Sequence, residues 1–110
     1  MSNVIKTIED LIAQRKNEDV NKSYVAQLFA GGNEKITRKV TEEATEVLIA
    51  AITEGKENLV SESADLIFHL LVLLSFNKVE FNEVVLELEK RVGTSGLDEK
   101  AARIAKKKGK

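Results

Sequence analysis

Two acidic runs are spaced for cation chemistry. Glu42-Glu43-Ala44-Thr45-Glu46 and Glu62-Ser63-Ala64-Asp65 each carry carboxylates three residues apart. Three residues advance a helix by ~300°, so Glu43 and Glu46 fall ~60° apart on one face, as do Glu62 and Asp65. Each pair can grip one cation. Gly55 lies between the runs, and a turn there sends the two helices away antiparallel. Glu46, nine residues before Gly55, and Glu62, seven after it, then sit ~13 and ~10 Å from the turn. Glu43 and Asp65, twelve before and ten after, nearly face each other as well. The carboxylates of Glu43, Glu46, Glu62 and Asp65 are therefore expected to converge on one small volume. Alone they would repel one another or take up protons; a cation removes the conflict. Oxygen ligands in this number suit a hard ion, Mg²⁺ or Mn²⁺, and Mg²⁺ characteristically binds a few carboxylates, several waters and substrate phosphates. The expected chemistry is metal-assisted hydrolysis of a phosphate compound.

Lys35 and Lys39 stand at i and i+4, one to two turns before Glu43 on the same stripe, where they could hold phosphate oxygens as point charges. The plainer reading is a set of helix-surface ion pairs with Glu42 and Glu43, worth only ~0.2–0.5 kcal/mol each. For Asp65 the plain reading is weaker, because it is embedded in an apolar helix where an unpaired charge is expensive. His69 follows Asp65 by one turn and reads as a core histidine donating a hydrogen bond, with Asp65 the expected partner. It does not make the Glu-x-x-His pattern of carboxylate-bridged di-iron bundles, because Leu66 stands three residues before it.

The elements that must position these groups are helical. Of 110 residues, 43% are hydrophobic and 32% charged, and proline is absent, which suits long helices and starves an all-β fold of turns. Val4, Ile5, Ile8, Leu11 and Ile12 mark a first amphipathic helix ending near Lys16, followed by a polar loop from Asn17 to Lys22. Tyr24, Val25, Leu28 and Phe29 form a short helical piece that Gly31 and Gly32 terminate, with Asn33 as N-cap of the next helix. That helix runs from Glu34 to about Thr53 and closes at Gly55. Another spans roughly Glu57 to Asn77, and its half from Ala64 to Leu74 is apolar all round except at Asp65 and His69. Such a helix needs cover on several sides, which a second subunit supplies most simply. A further helix starts near Glu80 and stops at Gly93, and a weakly structured tail over 94–110 ends in lysines. The expected fold is all-α: a single domain over 1–110 of four to five helices, forming an intertwined helical-bundle homodimer or a higher homo-oligomer.

Formal net charge is −1, so no global positive field recruits nucleic acid or an anionic membrane. Cysteine is absent, which excludes disulfides, a cysteine nucleophile and a thiolate zinc site. Charges at Lys6, Glu9, Asp10, Arg15 and Lys16 interrupt any signal-peptide core. The most apolar stretch, Leu66 to Leu74, falls short of the ~20 residues of a membrane span. A soluble, cytoplasmic protein is expected.

On these residues the chain resembles phosphoribosyl-ATP pyrophosphohydrolase, within the MazG-like all-α nucleotide pyrophosphohydrolases. The resemblance rests on Ser23-Tyr24-Val25 before Leu28-Phe29, Lys35-Ile36 with Lys39-Val40, and Glu42 to Val47. It extends to Ala64 through Leu74, and to Ser95-Gly96-Leu97 with Glu99-Lys100-Ala101. It implies Glu43, Glu46, Glu62 and Asp65 as Mg²⁺ ligands, with Glu42, Lys35 and Lys39 close to a small-molecule nucleotide substrate. The implied reaction is release of pyrophosphate from phosphoribosyl-ATP in the second step of histidine biosynthesis; for the general base the residues themselves offer Glu42 or Glu43. Thr41, where the family commonly has glycine, and the Gly31-Gly32-Asn33 turn depart from its pattern. Two other readings use the same residues: a housekeeping (d)NTP pyrophosphatase, and a non-catalytic helical dimerisation module.

Overall fold

The computed structural model describes residues 3–92, 100 and 103–106. Among these the regular structure is helical, in the order α1 (Val4–Arg15), α2 (Tyr24–Ile49), a π-helical turn (Ala50–Glu54), α3 (Lys56–Phe76) and α4 (Phe81–Arg91). The stop at Gly93 lies outside the described residues. So does most of the tail, although Lys100 and residues 103–106 are helical.

Local chemistry sets the boundaries. The Asn3 side chain accepts the Lys6 N–H at 3.3 Å and starts α1. Ser23 Oγ accepts the Ala26 N–H at 3.1 Å to start α2, and donates to the Arg15 carbonyl at 3.4 Å, which ties the end of α1 to the start of α2. The Glu83 carboxylate reaches back to the Glu80 N–H at 2.9 Å, and Glu9 of α1 accepts the Phe81 N–H at 2.8 Å, so α4 is capped partly from another helix.

The expected break inside α2 is present: Gly32 leaves helical geometry with φ 68° and ψ −167°. Asn33, however, does not cap the second half of α2. Its amide pairs reciprocally with that of Asn77, at 3.1 and 2.8 Å, and so fastens the kink in α2 to the far end of α3. A side chain offered a rigid partner across the bundle has no need of the local cap.

Gly55 ends the α2 arm as expected, but through a wider turn. Its N–H reaches the Ala50 carbonyl, five residues back, at 3.2 Å, and its backbone, φ 114° and ψ 178°, lies where only glycine is comfortable. The chain then reverses into α3, which packs along α2 and α1. Ile12, Val25, Leu28, Ile36, Leu71 and Val72 form the core, with Phe29, Phe68, Phe76 and Phe81 against it. Apolar residues beyond Leu66–Leu74 lengthen α3 to 21 residues, long and apolar enough by length and composition to cross a membrane. Its Leu71 and Val72 are instead committed to the core shared with α1 and α2.

Candidate active site

The hairpin of α2 and α3 brings the two acidic runs together. Glu43, Glu62 and Asp65 each offer a carboxylate oxygen, and the three oxygens lie within 4.8 Å of one another. Oxygens that share one Mg²⁺ at ~2.0–2.1 Å would lie closer together than this, so the three side chains would draw in to hold one ion. Glu46 is not in this group and its side chain is exposed, yet its charge reaches Glu62. Partial burial, reinforced by the charges of Asp65, Glu46 and Glu43, pushes the Glu62 carboxyl above its ordinary value of 4.5. Among the described residues no lysine or arginine forms an ion pair with Glu46, Glu62 or Asp65. An all-oxygen, mutually repelling and unneutralised donor set fits a hard divalent cation.

Asp65 differs from its sequence reading in one respect. In the single chain it is exposed rather than embedded.

The two lysines are placed differently. Lys39 Nζ lies 3.1 Å from Glu42 and 3.8 Å from Glu43. Its hydrogen bond to Glu42, reinforced by the charges of Glu42 and Glu43, raises its pKa. Lys35 forms no ion pair among the described residues. Its stem lies over Gly31, where an added Cβ would come 2.6 Å from the Lys35 Cβ.

His69 is buried and both its ring nitrogens are engaged. Nδ1 lies 2.7 Å from the Asp65 carbonyl oxygen, and Nε2 lies 2.7 Å from the Tyr24 hydroxyl. A carbonyl only accepts, so Nδ1 carries the proton and Nε2 accepts from Tyr24. The partner of His69 is thus the backbone of Asp65, and the ring is a clamp between α2 and α3. Burial raises the Tyr24 pKa; Lys39 opposes the shift, and Glu43, Glu42 and Asp65 reinforce it. Sequence reasoning assigned Tyr24 no role, because its partner is 45 residues away and no local spacing links the two.

An all-helical hairpin presenting clustered carboxylates beside Lys39 defines a class of helical proteins whose donor set suits a hard divalent cation. Comparison with known proteins narrows the class. The family model described as phosphoribosyl-ATP pyrophosphohydrolase matches residues 5–92. The phosphoribosyl-ATP pyrophosphatase of Erythrobacter litoralis is 54% identical over 101 residues, covering 92% of this chain and 97% of its own. Those of Paramagnetospirillum magneticum, 50% identical over 96% of both chains, and Rhodobacter capsulatus, 46% identical over 94% of this chain and 96% of its own, are similar along nearly the same span. The chain belongs to the phosphoribosyl-ATP pyrophosphohydrolase family.

Proposed function

We propose that this chain hydrolyses phosphoribosyl-ATP to phosphoribosyl-AMP and pyrophosphate, the second step of histidine biosynthesis, using a divalent cation held by Glu43, Glu62 and Asp65, with Glu46 completing the set. The observation that carries the reading is the convergence of three carboxylates from two helices in a member of this family. Bound Mg²⁺, or Mn²⁺ in its place, would supply Lewis-acid polarisation of phosphoryl oxygens and a lowered pKa for water. The protein's own groups do the rest. Lys39 and Lys35 offset negative charge on the phosphate chain. With Glu43 engaged as a ligand, Glu42 is the general base: one carboxylate oxygen is held by Lys39 and the other is free to accept a proton from the attacking water.

The protein acts as a cytoplasmic homodimer. The Cα radius of gyration is 16.8 Å, against ~13 Å for a compact chain of this length. Leu48, Ile52, Val60 and Ile67 of the α2–α3 arm are 43–81% exposed, more apolar surface than one chain leaves open without a partner. The carboxylates are carried by the same two helices.

The deciding measurement is pyrophosphate release from phosphoribosyl-ATP, with dCTP and dUTP in parallel, with and without Mg²⁺. Mg²⁺-dependent release from phosphoribosyl-ATP is the expected result. Turnover of dCTP or dUTP in its place marks a housekeeping pyrophosphatase, and no hydrolysis of any of them marks a non-catalytic helical module.

A further inference from the structure

A polar cavity lies where the end of α1 meets the start of α2. It encloses about 400 Å³ and is walled by Arg15, Glu18, Lys22, Tyr24 and Phe68, within the ~300–1,000 Å³ range of small-molecule sites. Among the described residues Arg15, Lys22 and Glu18 form no ion pair. Two cations against one carboxylate leave this wall net positive, on a chain whose overall charge is −1.

Tyr24 connects the cavity to the acidic cluster. It lines the cavity, and its hydroxyl proton is committed to His69 Nε2 at 2.7 Å. The phenol oxygen therefore serves other partners only as an acceptor, for instance of a sugar hydroxyl. Phe68, on the same wall, stacks edge-on against the His69 ring at 5.4 Å and fixes the clamp from behind.

A substrate built from ATP and a phosphoribosyl group has two anionic ends. The triphosphate belongs with the cation and lysines; the other phosphate needs positive charge away from the carboxylates. Resting on the functional reading above, we propose that the Arg15–Lys22 cavity binds the phosphoribosyl end of the substrate, with the two cations on its phosphate monoester and the Tyr24 oxygen on a ribose hydroxyl. Arg15 presents the planar fork that matches phosphate oxygens, and Lys22 adds a point charge. This arrangement makes the cavity the specificity element that separates phosphoribosyl-ATP from simple nucleoside triphosphates.

The test uses the full chain with Mg²⁺, as wild type and as the Arg15→Gln/Lys22→Gln double variant, with ribose 5-phosphate as a competing probe. Both positions are exposed, so circular dichroism and melting should be unchanged. The double variant should raise KM for phosphoribosyl-ATP by about tenfold or more, with kcat within about threefold. Ribose 5-phosphate should compete with substrate in the wild type and lose that competition in the variant, while inhibition by pyrophosphate persists. Arg15→Lys with Lys22 intact should recover part of the KM. A KM and a ribose 5-phosphate inhibition within twofold of wild type overturn the assignment of this cavity, while wild-type hydrolysis stands. A wild-type chain that does not hydrolyse phosphoribosyl-ATP overturns the functional reading, and this proposal with it.

Discussion

The residue that reports most directly on the cluster is Glu62. Burial first, then the charges of Asp65, Glu46 and Glu43, hold its folded pKa above 4.5. A carboxyl raised on folding binds protons more tightly in the fold than in the unfolded chain. The cation-free fold therefore gains stability as pH falls through the raised value, keeps that gain below 4.5, and loses it as pH rises again. At pH 7 without added cation, Glu62→Gln should melt at or above wild type. With Mg²⁺ only the wild type should gain melting temperature, and hydrolysis by the variant should fall by about 10²-fold or more. Differential scanning fluorimetry over pH and Mg²⁺ reads both effects; a Mg²⁺ shift that survives in Glu62→Gln removes Glu62 from the ligand set. Tyr24→Phe tests the clamp at the same scale. It leaves His69 Nε2 without its donor and should destabilise the fold by about 1 kcal/mol, measurable by urea unfolding.

Among the elements, the glycines carry the geometry. Gly55 has φ 114° with open space where a Cβ would go, so Gly55→Ala isolates conformational strain from steric clash. It should cost about 1–3 kcal/mol and shift the α2–α3 register that pairs Glu43 with Glu62 and Asp65. Loss of stability and of Mg²⁺-dependent melting together is the expected signature; a neutral substitution removes the case for a glycine-only turn. Gly31 is constrained by packing instead, since a Cβ there would meet the Lys35 stem at 2.5–2.6 Å. The paired glycines read easily from sequence as a helix break, and Gly32 is one. The π-helical closure at Ala50–Glu54 did not, because its sequence Ala-Ala-Ile-Thr-Glu is compatible with an ordinary helical end. Counting ~1.5 Å per residue through that turn put Glu46 level with Glu62, whereas the carboxylates that come together are those of Glu43, Glu62 and Asp65, with Glu46 exposed beside them.

For the whole molecule, the decisive quantity is uncovered apolar surface. Ile52, 81% exposed at the hairpin tip, and Ile67, 43% exposed on α3, are positions where a charge should be harmless to a monomer and costly to an assembly. Ile52→Glu/Ile67→Glu should shift the protein toward monomer by light scattering and lower activity at least about tenfold at sub-micromolar protein. Retention of a dimer with full activity would place the interface elsewhere.

Helical periodicity, the absence of proline and the i, i+3 acidic spacing are properties of the chain itself, so the sequence alone determined an all-helical hairpin with Glu43, Glu62 and Asp65 on facing sides. Those signals are local and repeat every turn. The Tyr24–His69 clamp, the Asn33–Asn77 pair, the exposure of Asp65 and the cavity between Arg15 and Lys22 were decided only by tertiary structure. Each depends on how helices distant in sequence, or joined by a loop without regular structure, are rotated about their axes. Packing sets that rotation, and no residue spacing encodes it.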